Sequence, residues 1–340
     1  MANILVTGGA GYVGCHVLLP LIEQGHHPVV YDNLIGGHRC LAQLHRGITL
    51  VEGALEDRQR LQQTLATHGV NAVLHLAAAE SSGPSTGTEP SMEHLYATNG
   101  GDTLILMEEL VRYRPDNPPP LVFGSSCAVF DTTHDNRIRE TSAKTPATPY
   151  GRSKLVAEWV VEDVGRCRGI SHVILRSCNV AGAQLQNGTG EWHDPETHLI
   201  PRALRAAREQ TVLPIYGMNF PTPDGTAVRD FMHVCDLAAA HMAALNYLLA
   251  GGASTAFNLG TGMGYSVLEV VHAVERITQT KLRIQNKGRQ EGDPAWRICN
   301  ASKAREVLRW TPQHSSLDVI VGDAAAWDAH LHSRESTLQV

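Results

Sequence analysis

A glycine-rich turn between a short apolar strand and an amphipathic helix constrains this chain more than any other feature. Ile4-Leu5-Val6-Thr7 reads as a strand, and Gly8-Gly9-Ala10-Gly11-Tyr12-Val13-Gly14 follows at once, placing Gly8, Gly11 and Gly14 in a G-x-x-G-x-x-G spacing. Glycines at such a junction keep side-chain bulk away from the backbone. A phosphate group can then approach amides at a helix N-terminus, where the peptide dipoles favour anions. This is the phosphate-binding corner of a doubly wound α/β sheet.

The pattern beyond the corner agrees. Strands are predicted at Ile4–Thr7, Pro28–Asp32, Ile48–Glu52, Ala72–Leu76, Leu121–Gly124 and His172–Arg176, several of them continuous apolar runs suited to parallel strands covered on both faces. Helices are predicted between them at Tyr12–Gln24, Asp57–His68, Met92–Tyr113 and Tyr150–Cys167. The alternation predicts an α/β fold built on a doubly wound, Rossmann-type parallel sheet. After Arg176 it loosens. Gly182–Pro201 reads as an irregular insertion, and short strands and turns are expected around Gly217–Gly225. Further helices are predicted at Leu199–Glu209, Val234–Leu249, Ser266–Thr278, Ser302–Leu308 and Leu317–His330, strands at Ala256–Leu259 and Leu282–Gln285, and a frayed tail from Ser333. A dinucleotide-binding domain over 1–178 is expected, with 229–262 returning to it, beside a smaller, interleaved C-terminal α/β substrate domain over 179–340.

Composition narrows the partners. The 340 residues carry a formal charge of −6 with no basic block, a poor match to nucleic acid. No apolar run approaches the ~18 residues of a membrane span. The N-terminus reads directly into a strand without a secretory signal, and seven scattered cysteines without a C-x-x-C pair suit reduced thiols, so a cytoplasmic protein is expected. The 18 histidines form no metal-ligand motif, and no metal is expected.

Three further features carry chemistry. Tyr31-Asp32 ends the second strand, where a carboxylate can accept hydrogen bonds from ribose hydroxyls and repel a 2′-phosphate, favouring NAD over NADP; Asp32 as a plain turn residue is the alternative. Tyr150 and Lys154 stand at i, i+4 on one helix face. A phenol with a pKa near ~10 is a poor base at neutral pH, and neighbouring positive charge favours its phenolate. Ser125 and Ser126 lie at the carboxyl end of the fifth strand. Ser126 is the preferred hydroxyl for a reacting alcohol or ketone, with Ser125 its rival.

Together these motifs resemble the extended short-chain dehydrogenase/reductases. The stretch Asp224-Gly225-Thr226-Ala227-Val228-Arg229-Asp230-Phe231-Met232-His233-Val234-Cys235-Asp236-Leu237 is similar to a segment of the UDP-glucose 4-epimerase family, as are Asn258-Leu259-Gly260-Thr261-Gly262 and Glu291-Gly292-Asp293. The resemblance runs from Ile4 to about Trp327. It implies Ser126, Tyr150 and Lys154 as the catalytic set. Along NAD it implies Gly8, Gly11, Tyr12, Val13, Gly14, Asp32, Asn33, Leu34, Leu55, Leu76, Ala77, Ala78, Glu80, Asn99, Ser125 and Ser177, with Tyr150 and Lys154. Facing a nucleotide-sugar it implies Ser126, Asn179, His198, Leu199, Tyr216, Arg229, Gln290 and Asp293. A homodimer through Met92–Tyr113 and Tyr150–Cys167 is also implied.

The chain departs from that pattern at ligand-facing positions. Ala54 follows Gly53 where the family has aspartate, Glu80 replaces a lysine, and Ser177-Cys178 replace a Tyr-Phe pair. Gln290 replaces an arginine, with Arg289 one place off, His198 replaces an asparagine, and Arg297 falls near the hexose pocket. The resemblance implies an NAD-dependent epimerase of a nucleotide-activated sugar, acting at C4 of a UDP-hexose through a 4-keto intermediate. A nucleotide-sugar dehydratase is the first alternative, although Cys127-Ala128 stand where dehydratases carry Asp-Glu. A non-catalytic NAD-binding regulator is the second.

Overall fold

The computed structural model describes residues 1–42, 44–80, 91–130, 137–290 and 292–338, with side chains to residue 333. Its main sheet has strands β1 (Asn3–Thr7), β2 (His27–Asp32), β3 (Thr49–Glu52), β4 (Ala72–His75), β5 (Leu121–Ser126), β6 (His172–Ser177) and β7 (Thr255–Leu259). They lie in the order β7-β6-β5-β4-β1-β2-β3, every pairing parallel. The order reverses between β1 and β4, and ligands of such sheets bind beyond the strand ends at that reversal.

Among the described residues the eight long helices are α1 (Tyr12–Glu23), α2 (Arg58–Thr67), α3 (Asp102–Tyr113), α4 (Pro149–Arg168), α5 (Leu199–Glu209), α6 (Val234–Leu249), α7 (Val267–Thr278) and α8 (Leu317–Leu338). Alternation along β1 sends Ile4 and Val6 to one face, packed with Leu18 and Leu21 of α1 and Leu245 of α6. Leu5 faces the other side, with Leu61 of α2, Leu106 of α3 and Val161 of α4. Ala304 and Trp310 join the first cluster, so the chain returns to the large sheet late in its course. A separate core forms where α5, α7 and α8 meet around Ile200, Leu204, Val270 and Ile320. No helix among the described residues is long and apolar enough to cross a membrane.

A small sheet stitches the two regions together, in the order Tyr265–Ser266, Val228–Arg229, Trp296–Cys299, Arg137–Ile138. Asp230 is buried beside it. Its carboxylate accepts hydrogen bonds from Thr261 N (2.9 Å) and Oγ1 (2.6 Å), Gly262 N (3.0 Å) and Cys299 N (3.2 Å).

Three expectations are corrected. The single helix over Met92–Tyr113 is instead Met92–Tyr96, a π-helical turn at Ala97–Gly101, and α3. Asn99-Gly100-Gly101 interrupts the pattern, and Asn99 is drawn aside by hydrogen bonds to Ala79; π-turns of this kind often mark functional positions. No strand forms over Gly217–Gly225, where Phe220 N bonds Gly225 O at 2.8 Å and Gly225 takes φ +81°. The tail expected from Ser333 is helical to Leu338, since no glycine or proline interrupts α8 after Gly322.

Glu158 of α4 is fully buried and bonded by Arg176 Nε and a terminal nitrogen at 2.8 Å each, and by Ser125 Oγ at 2.7 Å. Breaking such a pair strands a buried charge. Glu158→Leu should lower unfolding free energy by about 3–5 kcal/mol in urea titrations, and adding Arg176→Met should restore more than half of the loss. Equal loss in both variants would count against the pair as the source.

Candidate active site

The glycine corner is built for close approach. Gly8 takes φ +70°, and a Cβ there would stand 2.5 Å from Ala77 N. A Cβ on Gly14 would stand 2.1 Å from Gly8 O. Gly11 caps α1 without a side-chain partner, so the first amides of that helix are left for an outside acceptor. Asp32 is buried at the end of β2. Its Oδ2 accepts from Ala10 N at 3.0 Å and its Oδ1 from Leu34 N at 2.8 Å, and a carboxylate with about four acceptor sites has room for more. Leu34 sits in the left-handed region at φ +61°, held by that bond. Asn33 Oδ1 receives Ile35 N, and Leu55 is buried beneath the strand end with Tyr31. Tyr31 donates to Ala54 O at 2.9 Å. This corner, whose glycines let backbone segments pack in close contact, fits the pyrophosphate and ribose of a dinucleotide.

Leu76, Ala77 and Ala78 leave β4 along the same cleft, Leu76 N bonding Thr7 O at 3.0 Å. Asn99 clamps them: its Oδ1 accepts from Ala79 N (2.9 Å), while its Nδ2 donates to Ala79 O (3.0 Å) and Ser153 Oγ (2.9 Å). Val13 packs against the apolar cluster under α1, and Tyr12 OH donates to Gly182 O at 2.6 Å. His75, absent from the motif reading, is buried between Thr7 Oγ1 (2.7 Å) and Thr103 Oγ1 (2.9 Å). Burial, then the nearby Lys154, depress its pKa to about 3. A histidine inside an otherwise apolar strand was the available signal.

Helix α4 starts by design. Thr148 Oγ1 accepts from Gly151 N at 3.1 Å, and Pro149 occupies the first turn. Gly151 meets the turn after β5 so closely that a Cβ would lie 2.2 Å from Ala128 O. The contact brings Tyr150 near Ser126, whose hydroxyl favours its phenolate. Ser125, one residue earlier on the strand, faces the other way and donates to Glu158. Lys154 Nζ donates to Gly124 O at 2.7 Å and lies 4.5 Å from the Phe123 ring centroid. Burial draws its ammonium down to about 8, against the pull of Glu80 and Glu158. The Tyr150 phenol is pushed up by burial and then by Glu80, with Ser126 acting the other way. Glu80 therefore senses both groups. Ser177 Oγ reaches Ser125 O at 3.5 Å.

On the opposite wall Arg229 is buried, donating to Val228 O (2.7 Å) and Asp293 Oδ1 (2.5 Å). Asn179 is exposed at the start of the short strand Asn179–Ala181, which pairs with Phe231–His233. His198 caps α5, followed by Leu199, and pairs with Glu191. Burial alone would lower the His198 pKa, but Glu191 raises it to about 9. His193 and Glu196 complete a four-residue group that sequence spacing did not reveal, because it folds from an irregular loop. Trp192 stacks on His38 at 3.9 Å, and His38 N bonds Ala10 O, docking that loop on the glycine corner. Trp327 of α8 backs it, donating to Glu191 O at 2.7 Å and lying where a Cβ on Gly190 would be 2.4 Å away. Tyr216 lies 6.0 Å from the Arg202 guanidinium. Gln290 O accepts from Asp293 N, whereas Arg289 turns to Asn219 and the Phe220 ring. Glu291 lies outside the described residues.

This chain belongs to the NAD dependent epimerase/dehydratase family, whose model matches residues 4–260. It is 41% identical to a UDP-glucose 4-epimerase of Rhizobium meliloti (strain 1021), over 96% of this chain and 97% of that protein. It is 40% identical to one from Streptococcus mutans, over 95% and 96%. Among solved structures, the UDP-glucose 4-epimerase from Brucella ovis in complex with NAD superposes with a TM-score of 0.89 at 39% identity, covering 96% of this chain and 98% of that one. The enzyme from Stenotrophomonas maltophila with bound NAD and formylated UDP-arabinopyranose gives 0.91 at 32% identity, covering 98% and 100%.

Glu80 opposes ionisation of Tyr150, so removing its charge favours the phenolate. Glu80→Gln should move the acidic limb of the pH–rate profile to lower pH and raise turnover at pH 7 roughly threefold. An unmoved limb would exclude that electrostatic role.

Proposed function

We propose that this protein is an NAD-dependent 4-epimerase of a nucleotide-activated sugar, interconverting a UDP-hexose at C4 through a transient 4-keto sugar. The observation that carries the reading is the placing of Tyr150 in the first turn of α4, where Gly151 packs against the turn that follows Ser126, beside a glycine corner suited to a dinucleotide. Residues 1–178, with 229–262, hold NAD, and 179–340 hold the nucleotide-sugar. The enzymes named UDP-glucose 4-epimerase, with which this chain aligns nearly end to end, support the same assignment.

Tyr150 removes the proton of the C4 hydroxyl, while Ser126 Oγ holds that oxygen. The helix N-terminus favours the phenolate. Lys154, fixed by Gly124 O, presents positive charge to the nicotinamide ribose. NAD, when bound, supplies a hydride acceptor that returns the hydride to the other face of C4. Between those events the keto sugar turns about its diphosphate linkage, which demands a firm hold on the nucleotide and a loose one on the hexose. Arg229 and a charged His198 suit the first demand.

A second reading, loss of water from the same 4-keto sugar, has one motivating observation. Glu80 is the carboxylate that acts on Tyr150, and elimination needs an acid or base beyond the tyrosine. The helices α3 and α4 leave Leu104 and Trp159 39% and 52% exposed, and Met92 is 59% exposed beside them. This apolar strip supports a homodimer through these helices, and seven free thiols suit a cytoplasmic setting.

Incubation with UDP-galactose should give a product of unchanged mass, and a product lighter by one water would select the dehydratase. Tyr150→Phe should cut kcat by at least about 10³-fold while NAD stays bound; near-normal turnover would sink the assignment. His198→Asn should raise KM for the nucleotide-sugar about tenfold with kcat within twofold. In the parent enzyme KM should rise as pH passes about 9, where the imidazolium loses its proton. A flat KM through that range would remove His198 from nucleotide binding.

A further inference from the structure

Cys127, Cys178 and Cys299 come from three separated places: the turn after β5, the residue after β6, and the end of the strand Trp296–Cys299. Their sulfurs meet. Cys299 Sγ lies 2.7 Å from Cys127 Sγ and 2.6 Å from Cys178 Sγ, and all three sit within 4.8 Å of one another. Cys127 and Cys299 are 1% and 0% exposed and Cys178 9%. The surrounding cluster is apolar, formed by Val129, Phe130, Ile138 and Leu155.

Positive charge surrounds this apolar nest. Arg297 acts on Cys127 and Cys178, Arg176 on Cys127, and Arg229 on Cys178. Arg176 and Arg229 are shared with Glu158 and Asp293, while Arg297 makes no ion pair among the described residues.

We propose that Cys127, Cys178 and Cys299 form a three-coordinate site for one soft, monovalent, thiophilic cation, of which Cu(I) is the type. Three sulfurs in an apolar nest match the preference of soft metals for thiolate. Structural zinc wants a fourth ligand. The neighbouring carboxylate, Asp230, is already occupied by four hydrogen bonds from Thr261, Gly262 and Cys299. A trigonal ion with metal–sulfur bonds near ~2.3 Å needs sulfurs about 4 Å apart, an opening of just over ~1 Å for these side chains. Binding forms three Cu–S bonds in place of three S–H bonds and releases the thiol protons of Cys127, Cys178 and Cys299 to solvent. No electron is transferred. Cys127 follows Ser126 and Cys178 precedes Asn179, so the ion would lie under the floor of the sugar site and stiffen it.

The test is an anaerobic titration of the reduced full-length protein with Cu(I) buffered by bicinchoninate, followed by copper X-ray absorption. One equivalent per chain, in a shell of three sulfurs, is expected. Cys178→Ser and Cys299→Ser should each weaken binding at least about 100-fold with unchanged circular dichroism, whereas the Cys40→Ser/Cys167→Ser double variant, at exposed positions, should bind normally. The spectrum of the unaltered protein decides the matter should a buried variant fail to fold. Binding below one equivalent, a shell containing nitrogen or oxygen, undiminished binding by the buried-site variants, or loss of binding in the surface double variant would each overturn the proposal.

Discussion

One buried carboxylate sets the geometry on which the rest depends. Glu158 cannot sit uncompensated in the interior, and its partners come from two strands: Ser125 from β5 and Arg176 from β6. Helix α4 is thereby fixed in rotation and height against the sheet. The same constraint sorts the two serines. Because side chains alternate along a strand, the hydroxyl that meets Glu158 turns its neighbour Ser126 away from it, toward Tyr150 about two turns earlier on the same helix. Gly151 then allows helix and strand-end to touch.

The site's charges form a less familiar balance. Arg229 faces Asp293, and Gln290 contributes no charge, so much of the positive potential for an anionic ligand comes from elsewhere. The bare N-terminus of α1, the Lys154 ammonium and the His198 imidazolium are the remaining sources. Glu80 lies among them with the opposite sign and acts on Tyr150, Lys154 and His198 alike. The carboxylate of Asp230, by contrast, is a fastener: its four hydrogen bonds join the chain at residues 230, 261–262 and 299, which explains an aspartate beside Arg229 without giving it a role in chemistry.

The parts of this arrangement that repeat were readable from the residues. Continuous apolar runs placed the strands of the large sheet to within a residue or two, and the glycine spacing, Asp32 and the Tyr150–Lys154 interval located the cleft. What escaped was short or non-local. Arg137–Ile138 and Trp296–Cys299 are too brief to display a period of two, and the π-turn at Ala97–Gly101 hides inside helical spacing until Asn99 finds Ala79. The three cysteines are assembled only by the fold, since they lie far apart in the chain, and the Glu191–His198 group sits in one irregular loop whose shape no periodicity announces. Lysine proximity to the phenol was expected to lower its pKa, yet the ammonium is turned to Gly124 O and Ser126 takes that part.

Trp327 bears on how the protein is made. The indole that supports Gly190 and Glu191 is synthesised 136 residues after the carbonyl it binds. While a ribosome is still adding those residues, the nucleotide corner has all of β1 to β6 and can already close on its own core. The loop bearing His193 and His198, docked on one side through Trp192 and His38, lacks its Trp327 backing until the last helix emerges. A nascent chain therefore forms most strands of its large sheet first, and the loop around Gly190 and Glu191 gains its indole support last.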